Sequence, residues 1–223
     1  MPDTHPRTIP TKNSLGEIGP PRHPDEYSKV MAQAVPSNNF MSSYAPKPEG
    51  FRFEGQDHHE QILLYLRQHP IVLLPWLAIG LFMALAPVLF FPLFPFLAFL
   101  PANFKFVLLL SWYLLTVGFL FERTLMWLFN SFIITDERIV DIDFYSLIYK
   151  ELNFAQIDKI QDTSYKTGGV LFSLLDVGTI FVQTAAEVPE FVFENISHPA
   201  RVVQLLNELI IEEEREKNEG RVR

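Results

Sequence analysis

The sequence predicts an α+β protein: a two-helix transmembrane hairpin, followed by a small antiparallel β module that a C-terminal helix closes. The run 71–100 contains no charged side chain and no Ser, Thr, Asn or Gln, and a second apolar run begins after Lys105. At Asn130 the pattern changes to strand-like alternation of β-branched and polar residues. These patterns divide the chain into a Pro-rich disordered arm (1–50), a juxtamembrane segment (51–70), the hairpin (71–129), the β module (130–211) and a charged flexible tail (212–223).

The first membrane crossing is predicted at residues 71–91. A helix needs roughly 20 apolar residues to cross a hydrocarbon core of about 30 Å, and Pro92 and Pro95 then end this helix. A buried hairpin in a soluble all-α core is the alternative. It is disfavoured because such a core would need more amphipathic helices around it.

The second crossing is predicted at residues 106–121. Beyond it, residues 124–129 resume an amphipathic pattern, which is expected if the helix leaves the bilayer and continues along the interface. Trp127 is expected in the aromatic belt, with Trp76 facing it from the first helix.

The basic side chains that flank the crossings predict the orientation, because short cytoplasmic segments carry an excess of Lys and Arg. Only Lys105 lies between the crossings, whereas both flanks are basic: Lys47, Arg52 and Arg67 come before the hairpin, and Arg123, Arg138 and Lys150 follow it. The chain is therefore expected in the cell membrane as a multi-pass protein with both termini cytoplasmic.

Composition excludes several classes of function. The chain has no cysteine, which excludes disulfides, zinc-thiolate sites, iron-sulfur clusters and cysteine nucleophiles. The net charge is −8, and residues 130–223 carry that imbalance with 17 acidic and 9 basic side chains. An acidic module is a poor partner for nucleic acid, and an anionic membrane surface repels it.

Two segments before the hairpin invite functional hypotheses. In the disordered arm, Pro21-Arg22-His23-Pro24 is a weak match to a Pro-rich ligand. In the juxtamembrane segment, Ile62, Leu63, Tyr65 and Leu66 predict a helix that Asp57 caps. His58, His59 and Glu60 suggest a metal site, but adjacent histidines point to different helical faces, so surface or capping roles are favoured.

The β module is predicted to begin with a hairpin of strands 131–135 and 138–143 around an acidic turn. Further strands are predicted at 146–152, 159–166, 177–184 and 190–194, with breaks at Gly168-Gly169 and Asp176. Ser197 or His198 then caps a helix with Pro199 in its first turn and a Leu, Val and Ile stripe up to residue 210. Residues 130–211 are expected to fold by themselves.

Several motifs occur in the order found in one bacterial family. They are Glu60-Gln-Ile-Leu-Leu-Tyr-Leu-Arg-Gln-His-Pro, Asn130-Ser-Phe-Ile-Ile-Thr-Asp-Glu-Arg-Ile-Val-Asp-Ile-Asp, Ile160-Gln-Asp-Thr-Ser-Tyr-Lys-Thr-Gly-Gly, Val177-Gly-Thr-Ile-Phe-Val-Gln-Thr-Ala and Phe193-Glu-Asn-Ile-Ser-His-Pro. Residues 51–210 thereby resemble the bacterial pleckstrin-homology-like membrane proteins of the YdbS type. The resemblance implies two bent antiparallel sheets capped by a C-terminal helix, and it supplies no catalytic residues. The chain departs from the family at Phe144-Tyr145-Ser146, where a glycine is usual.

These observations predict a membrane-anchored, cytoplasmic interaction or scaffold module without catalytic activity. Its expected partners are the lipid bilayer and a protein or a second copy of the chain, and no nucleic acid, cofactor, metal or catalytic residue is assigned. A lipid-sensing domain is the first alternative, since Lys150, Lys159 and Lys166 could form a local basic patch. An enzyme is the second. It could use Asp141, Asp143, Asp158, Asp162 and Asp176, which are better explained as solvated strand and turn residues.

Overall fold

The computed structural model describes residues 24–39, 41–53, 55–56, 60–94, 99–144, 149–185 and 188–218. In chain order the elements are α1 (Pro24–Tyr27), α2 (Lys29–Gln33), β1 (Tyr44–Pro46), β2 (Ile62–Arg67), α3 (Leu73–Phe90), α4 (Ala102–Phe129), β3 (Ser131–Thr135), β4 (Arg138–Phe144), β5 (Lys150–Gln156), β6 (Ile160–Lys166), α5 (Gly169–Leu174), β7 (Val177–Thr184), β8 (Glu190–Ser197) and α6 (Pro199–Asn218).

These elements form two compact units. The first, named here the β domain, contains the described residues up to His69, Ser131–Ile142 and the described residues from Glu151 onward. The second, the apolar hairpin, contains the described residues of Pro70–Asn130 and of Asp143–Lys150. A five-stranded sheet has the order β1-β2-β3-β4-β5, and a three-stranded sheet has the order β6-β7-β8. The predicted α+β class with two apolar helices and antiparallel sheets is confirmed.

The predicted order of hairpin first and β module afterwards is wrong. β2 comes before the hairpin in the chain, yet it lies between β1 and β3 in the five-stranded sheet. Its last residue, Arg67, is opposite Ser131, the first residue of β3, and Leu66 is opposite Phe132. The apolar hairpin is therefore an insertion between two neighbouring strands of one sheet.

The predicted juxtamembrane helix is also wrong at Ile62–Arg67, where the chain forms β2. All six residues of this strand are buried, with Leu64 and Leu66 in the main core and Tyr65 in a smaller cluster. A strand buried on both faces is apolar at consecutive positions and lacks the two-residue period. Such a short run also fits one face of a helix, so periodicity alone does not distinguish the two.

Residues 24–46 of the predicted disordered arm contain α1, α2 and β1, so the prediction is wrong for this part of the arm. Met31 is buried in the main core, and the hydroxyl of Tyr27 donates to a carboxylate oxygen of Asp136 over 3.3 Å. Two well-placed apolar side chains anchor a segment whose composition is otherwise polar and Pro-rich. Residues 1–23, which include most of the predicted Pro-rich ligand, lie outside the described residues.

One cluster of buried residues joins both sheets to α6. The rings of Phe132 in β3 and Phe193 in β8 lie 4.4 Å apart, centroid to centroid. The stripe predicted on the C-terminal helix is buried as expected, at Val202, Leu205, Leu206 and Leu209. Removing such side chains from water drives the association of helix and sheets, at roughly 1.5–3 kcal/mol for each large residue.

The remaining boundaries differ in detail from the predicted ones. α6 continues to Asn218, so the predicted flexible tail is helical at residues 212–218. β5 is Lys150–Gln156, and residues 146–148 of the predicted strand lie outside the described residues. β8 continues to Ser197. α5 was not predicted at all, because Gly168-Gly169 suggested only a break.

The first described segment is attached to α6 through Glu208. Ser28 caps α2, and its hydroxyl donates to a Glu208 carboxylate oxygen over 2.5 Å. The backbone N–H of Val30 donates to the same oxygen over 3.3 Å. Burial opposes ionisation of Glu208, but hydrogen bonds from Ser28, Gln204 and Val30 outweigh it and hold the pKa below the usual value of 4.5.

We expect the attachment of α2 to α6 to weaken in acid. A depressed pKa in the folded state gives stability above the unfolded-state pKa of about 4.5, and that stability is lost as the pH falls through the folded-state value. Protection of the Val30 and Met31 amides from hydrogen exchange, corrected for intrinsic rates, should fall in that window. Glu208→Gln should remove the pH dependence, and Glu214→Gln, at an exposed position of α6, should keep it. An unchanged pH profile in Glu208→Gln would contradict this account.

Candidate membrane-anchoring site

The two helices of the apolar hairpin pack closely on one another and expose apolar side chains elsewhere. A Cβ atom added at Gly80 of α3 would lie 2.4 Å from Leu120 Cδ2 of α4, so glycine permits this approach. Of the helices in the described ranges, α4 and the helix at Pro70–Leu89 are long and apolar enough to cross a membrane, and little of either is buried within the chain. Large side chains such as Phe82 and Leu114 are exposed.

Trp112 of α4 supplies the hydrogen bond that Pro87 removes from α3. Pro87 lies within α3 and has no N–H, so the carbonyl of Met83, four residues earlier, lacks its usual helical donor. The indole N–H of Trp112 donates to this carbonyl oxygen over 2.8 Å. The hydroxyl of Tyr113 donates to the next carbonyl oxygen, that of Ala84, over 3.3 Å. α4 thus supplies a donor to the one carbonyl that the proline leaves without its helical partner, and a further donor to the carbonyl beside it.

A cation lies close to two aromatic rings near the C-terminal end of α4. The guanidinium carbon of Arg123 is 4.5 Å from the ring centroid of Trp76 and 5.6 Å from that of Phe119. With 28 residues, α4 is about 42 Å long at 1.5 Å per residue, which exceeds a hydrocarbon core of about 30 Å. Arg123 therefore lies about where such a helix would leave the core. The predicted belt residue Trp76 has Arg123 and Phe119 as its ring neighbours.

In the β domain, the strand pair that carries the hairpin ends at a buried arginine. Arg67 is fully buried, and its Nη2 donates to the hydroxyl of Tyr65 over 2.8 Å. The two side chains share a strand face because they are two residues apart. Buried charges require polar partners, so this contact helps to fix the end of β2.

β8 adjoins the same end of the β domain. Gln68 forms an isolated bridge with Ile196, and the N–H of His69 donates to the carbonyl of Asn195 over 2.8 Å. The hydroxyls of Ser43 and Ser197 lie 2.7 Å apart. We name this the proximal end, because the chain enters the hairpin from His69 and leaves it into Ser131.

An Asp and His pair completes the proximal end. Asp176 Oδ2 and His198 Nδ1 are 2.5 Å apart, and the ring of Tyr44 meets that of His198 edge-on. Burial raises the pKa of Tyr44, an effect that Arg201 opposes, and burial with the charge of His198 lowers the pKa of His69.

A carboxylate on Nδ1 of a histidine, as in the Asp176 and His198 pair, also occurs in catalytic triads. In this chain the pair joins the residue that follows α5 to the start of α6.

Glu60 has a different role from the predicted surface or capping one. It is only 4% exposed and accepts hydrogen bonds from Arg138 Nε over 2.8 Å, Arg138 Nη2 over 2.7 Å and the Thr135 hydroxyl over 2.7 Å. This bidentate ion pair joins Glu60, which precedes the hairpin, to Arg138 in β4, which follows it. His58 and His59 lie outside the described residues. Among the described ones, no group of His, Asp or Glu side chains could hold a metal.

The five candidate aspartates do not form one site. Asp176 pairs with His198, Asp158 contacts Lys159 and Lys217, and Asp162 is exposed on β6. The solvated role predicted for them is wrong for Asp141, which is buried opposite Phe132 of β3. Asp143 lies near the end of β4.

The candidate lysines are also separated. Lys159 and Lys166 lie at opposite ends of β6, which has seven residues and spans about 20 Å at 3.3 Å per residue. Lys166 lies over the ring of Phe181, whereas Lys159 pairs with Asp158. A patch that contains both is therefore not formed.

Comparisons with protein-family models, curated proteins and solved structures find no match to this chain. The resemblance to the pleckstrin-homology-like family stays a prediction.

Two features on which the functional proposals depend, α5 and the pairing of Pro87 with Trp112, were not predicted from the sequence. The unassigned apolar run after Gly169 was the signal for α5, and a proline in one crossing with a tryptophan in the other was the signal for their pairing.

We expect Trp112→Phe to destabilise the hairpin by about 1 kcal/mol, because hydrogen bonds between membrane helices contribute roughly 0.6–2 kcal/mol. In a Pro87→Ala background, residue 87 supplies its own N–H to Met83, so the same substitution should cost much less. Unfolding of the detergent-solubilised full chain by dodecyl sulfate, followed by circular dichroism, measures both costs. Equal costs in the two backgrounds would show that Trp112 does not compensate for Pro87.

Proposed function

We propose that this chain is an integral membrane protein whose β domain is held at the cytoplasmic face as a non-catalytic interaction or scaffold module. The observation that carries the proposal is the pairing of β2 with β3 across the inserted hairpin. Because one folded domain uses residues from both flanks of the hairpin, both flanks must lie on the same side of a membrane. An insertion with an even number of crossings satisfies this requirement.

The exposed surface of the hairpin supports the membrane assignment. Leu81, Phe82 and Val88 of α3 and Leu114, Leu115 and Val117 of α4 are exposed in the chain, which would be unfavourable in water. In a bilayer these side chains meet lipid. The carbonyls near Pro87 also have their donors, as hydrocarbon surroundings require.

The cytoplasmic side is supported by the distribution of Lys and Arg. Lys105 is the basic residue between the crossings, whereas Lys47, Arg52 and Arg67 precede them and Arg123, Arg138 and Lys150 follow. Since the β domain contains residues from both flanks, the basic residues of the two flanks argue for the same orientation.

The interaction role is supported by an outer strand. β5 is the last strand of the five-stranded sheet, and Glu151, Phe154 and Gln156 on it are exposed. An outer strand can accept a further strand from a protein partner or a second copy of the chain. The two antiparallel sheets and the closing helix α6 also agree with the fold that the pleckstrin-homology-like resemblance implies.

We expect single cysteines at Val35 and Asn218 to resist an impermeant thiol reagent in intact cells, and one at Asn103 to react. The chain has no cysteine of its own, so each label reports one position. Permeabilised cells give the control, since all three positions should then react. Labelling of only one of residues 35 and 218 would contradict the shared domain, and labelling of both without Asn103 would reverse the orientation.

A further inference from the structure

α5 presents apolar side chains on the surface of the β domain. Val170 is 88% exposed and Leu174 is 80% exposed, with Leu171 and Leu175 exposed beside them. We call these four residues the α5 patch. Contiguous exposed apolar side chains commonly mark a surface that contacts a membrane or a partner.

The α5 patch belongs to the proximal end of the β domain. α5 leads into Asp176, whose carbonyl accepts from the N–H of His198 over 2.8 Å. Asn195, three residues before His198, bonds to His69. His69 directly precedes Pro70, the first residue of the apolar hairpin. A short series of hydrogen bonds therefore joins the α5 patch to the point where the chain enters the hairpin.

The opposite end of the β domain is well separated from the α5 patch. There, the N–H of Ile157 donates to the carbonyl of Glu137 in the turn after β3, and Lys217, near the end of α6, pairs with Asp158. β6 runs from this distal end towards α5, and β7 runs back from α5. The strand lengths separate the two ends by about 20 Å or more at 3.3 Å per residue.

The position of α5 is fixed by its connections. Asp176, Asn195 and His198 all have φ between 51° and 54°, a conformation that non-glycine residues adopt at some energetic cost. The contact between Asp176 and His198 holds two of them together. At Gly178, a Cβ atom would lie 2.8 Å from the carbonyl oxygen of Lys166, so the strands that flank α5 are also tightly joined.

Charge at the proximal end is compatible with a membrane surface. Two basic residues lie at this end: Lys166 precedes α5, and Arg201, in the first turn of α6, lies near Tyr44 of β1. Asp176 is paired with His198, and Glu194 is a second acidic residue nearby. Of the five acidic side chains of α6, four lie in its C-terminal half: Glu212, Glu213, Glu214 and Glu216. The repulsion expected from the net negative charge therefore acts mainly at the distal end.

We infer that the α5 patch inserts into the interfacial layer of the bilayer that the hairpin crosses, so that the protein contacts lipid at a third place besides its two crossings. This inference rests on the proposed membrane anchoring. The partner is the boundary between headgroups and acyl chains, where exposed Leu and Val lose contact with water while Tyr165 and Lys166 remain among the headgroups.

Single cysteines at Leu174, Ile211 and Leu114, labelled with an environment-sensitive fluorophore, test the inference in the full chain reconstituted in phosphatidylcholine and phosphatidylglycerol vesicles. Ile211 is the matched control, because it is an aliphatic residue of the same domain that is 65% exposed on α6. Leu114 reports on the crossing itself. Acyl chains brominated near the headgroup serve as the lipid quencher, and iodide serves as the aqueous one.

We expect lipid quenching at Leu174 to exceed that at Ile211 at least twofold, with the opposite ratio for iodide. Equal quenching at Leu174 and Ile211 while Leu114 is protected from iodide would overturn the inference and leave the anchoring intact. Iodide access at Leu114 would overturn the anchoring itself. Cross-linking between Leu174 cysteines of two chains, without lipid quenching, would assign the α5 patch to self-association and overturn the inference.

Discussion

The hydrogen-bonded pairing of β2 with β3 is the constraint on which the rest of this structure depends. It places Arg67 and Ser131, the strand residues on either side of the hairpin, opposite one another in a sheet. A sheet can close around an insertion only if the inserted chain returns to its starting point, and two antiparallel helices do so. The β domain can therefore form only if the hairpin has a topology that brings the chain back to the sheet.

This constraint suggests an order of assembly. Pairing strands that are far apart in sequence normally incurs a loop-closure cost before any contact is gained. Here, association of α3 with α4 would bring Arg67 and Ser131 near one another before the sheet forms. The contacts of Gly80 with Leu120 and of Trp112 with Met83 hold the two helices together.

Three polar contacts within the β domain also join the segment before the hairpin to the segment after it. Glu60 with Arg138, Gln61 with Asp136 and Ser28 with Glu208 each join a residue before the hairpin to one after it. Buried ion pairs contribute little net stability compared with apolar packing, but losing one partner is costly. Such contacts therefore favour one specific alignment of the two flanks over others.

The elements that were predicted correctly from the sequence are those whose apolar residues recur at a regular spacing. The two apolar helices, β3, β7 and the buried stripe of α6 follow from the spacing of their apolar residues. β2 could not be identified in this way because burial on both faces removes its period. The role of Glu60 depends on Arg138, which is distant in sequence, and the α5 patch depends on what the fold leaves exposed. Local patterns contain neither kind of information.

Disulfide formation between Ser43→Cys and Ser197→Cys in native membranes tests the central claim most directly. The two hydroxyl oxygens are 2.7 Å apart and lie on opposite flanks of the hairpin, and Ser→Cys is nearly isosteric. A protease site inserted between the two apolar helices allows the chain to be cut after oxidation. We expect the fragments to stay linked until reductant is added, whereas a control pair at Val35 and Ser197 should separate. Fragments of the Ser43 and Ser197 pair that separate without reductant would show that the flanks do not form one domain.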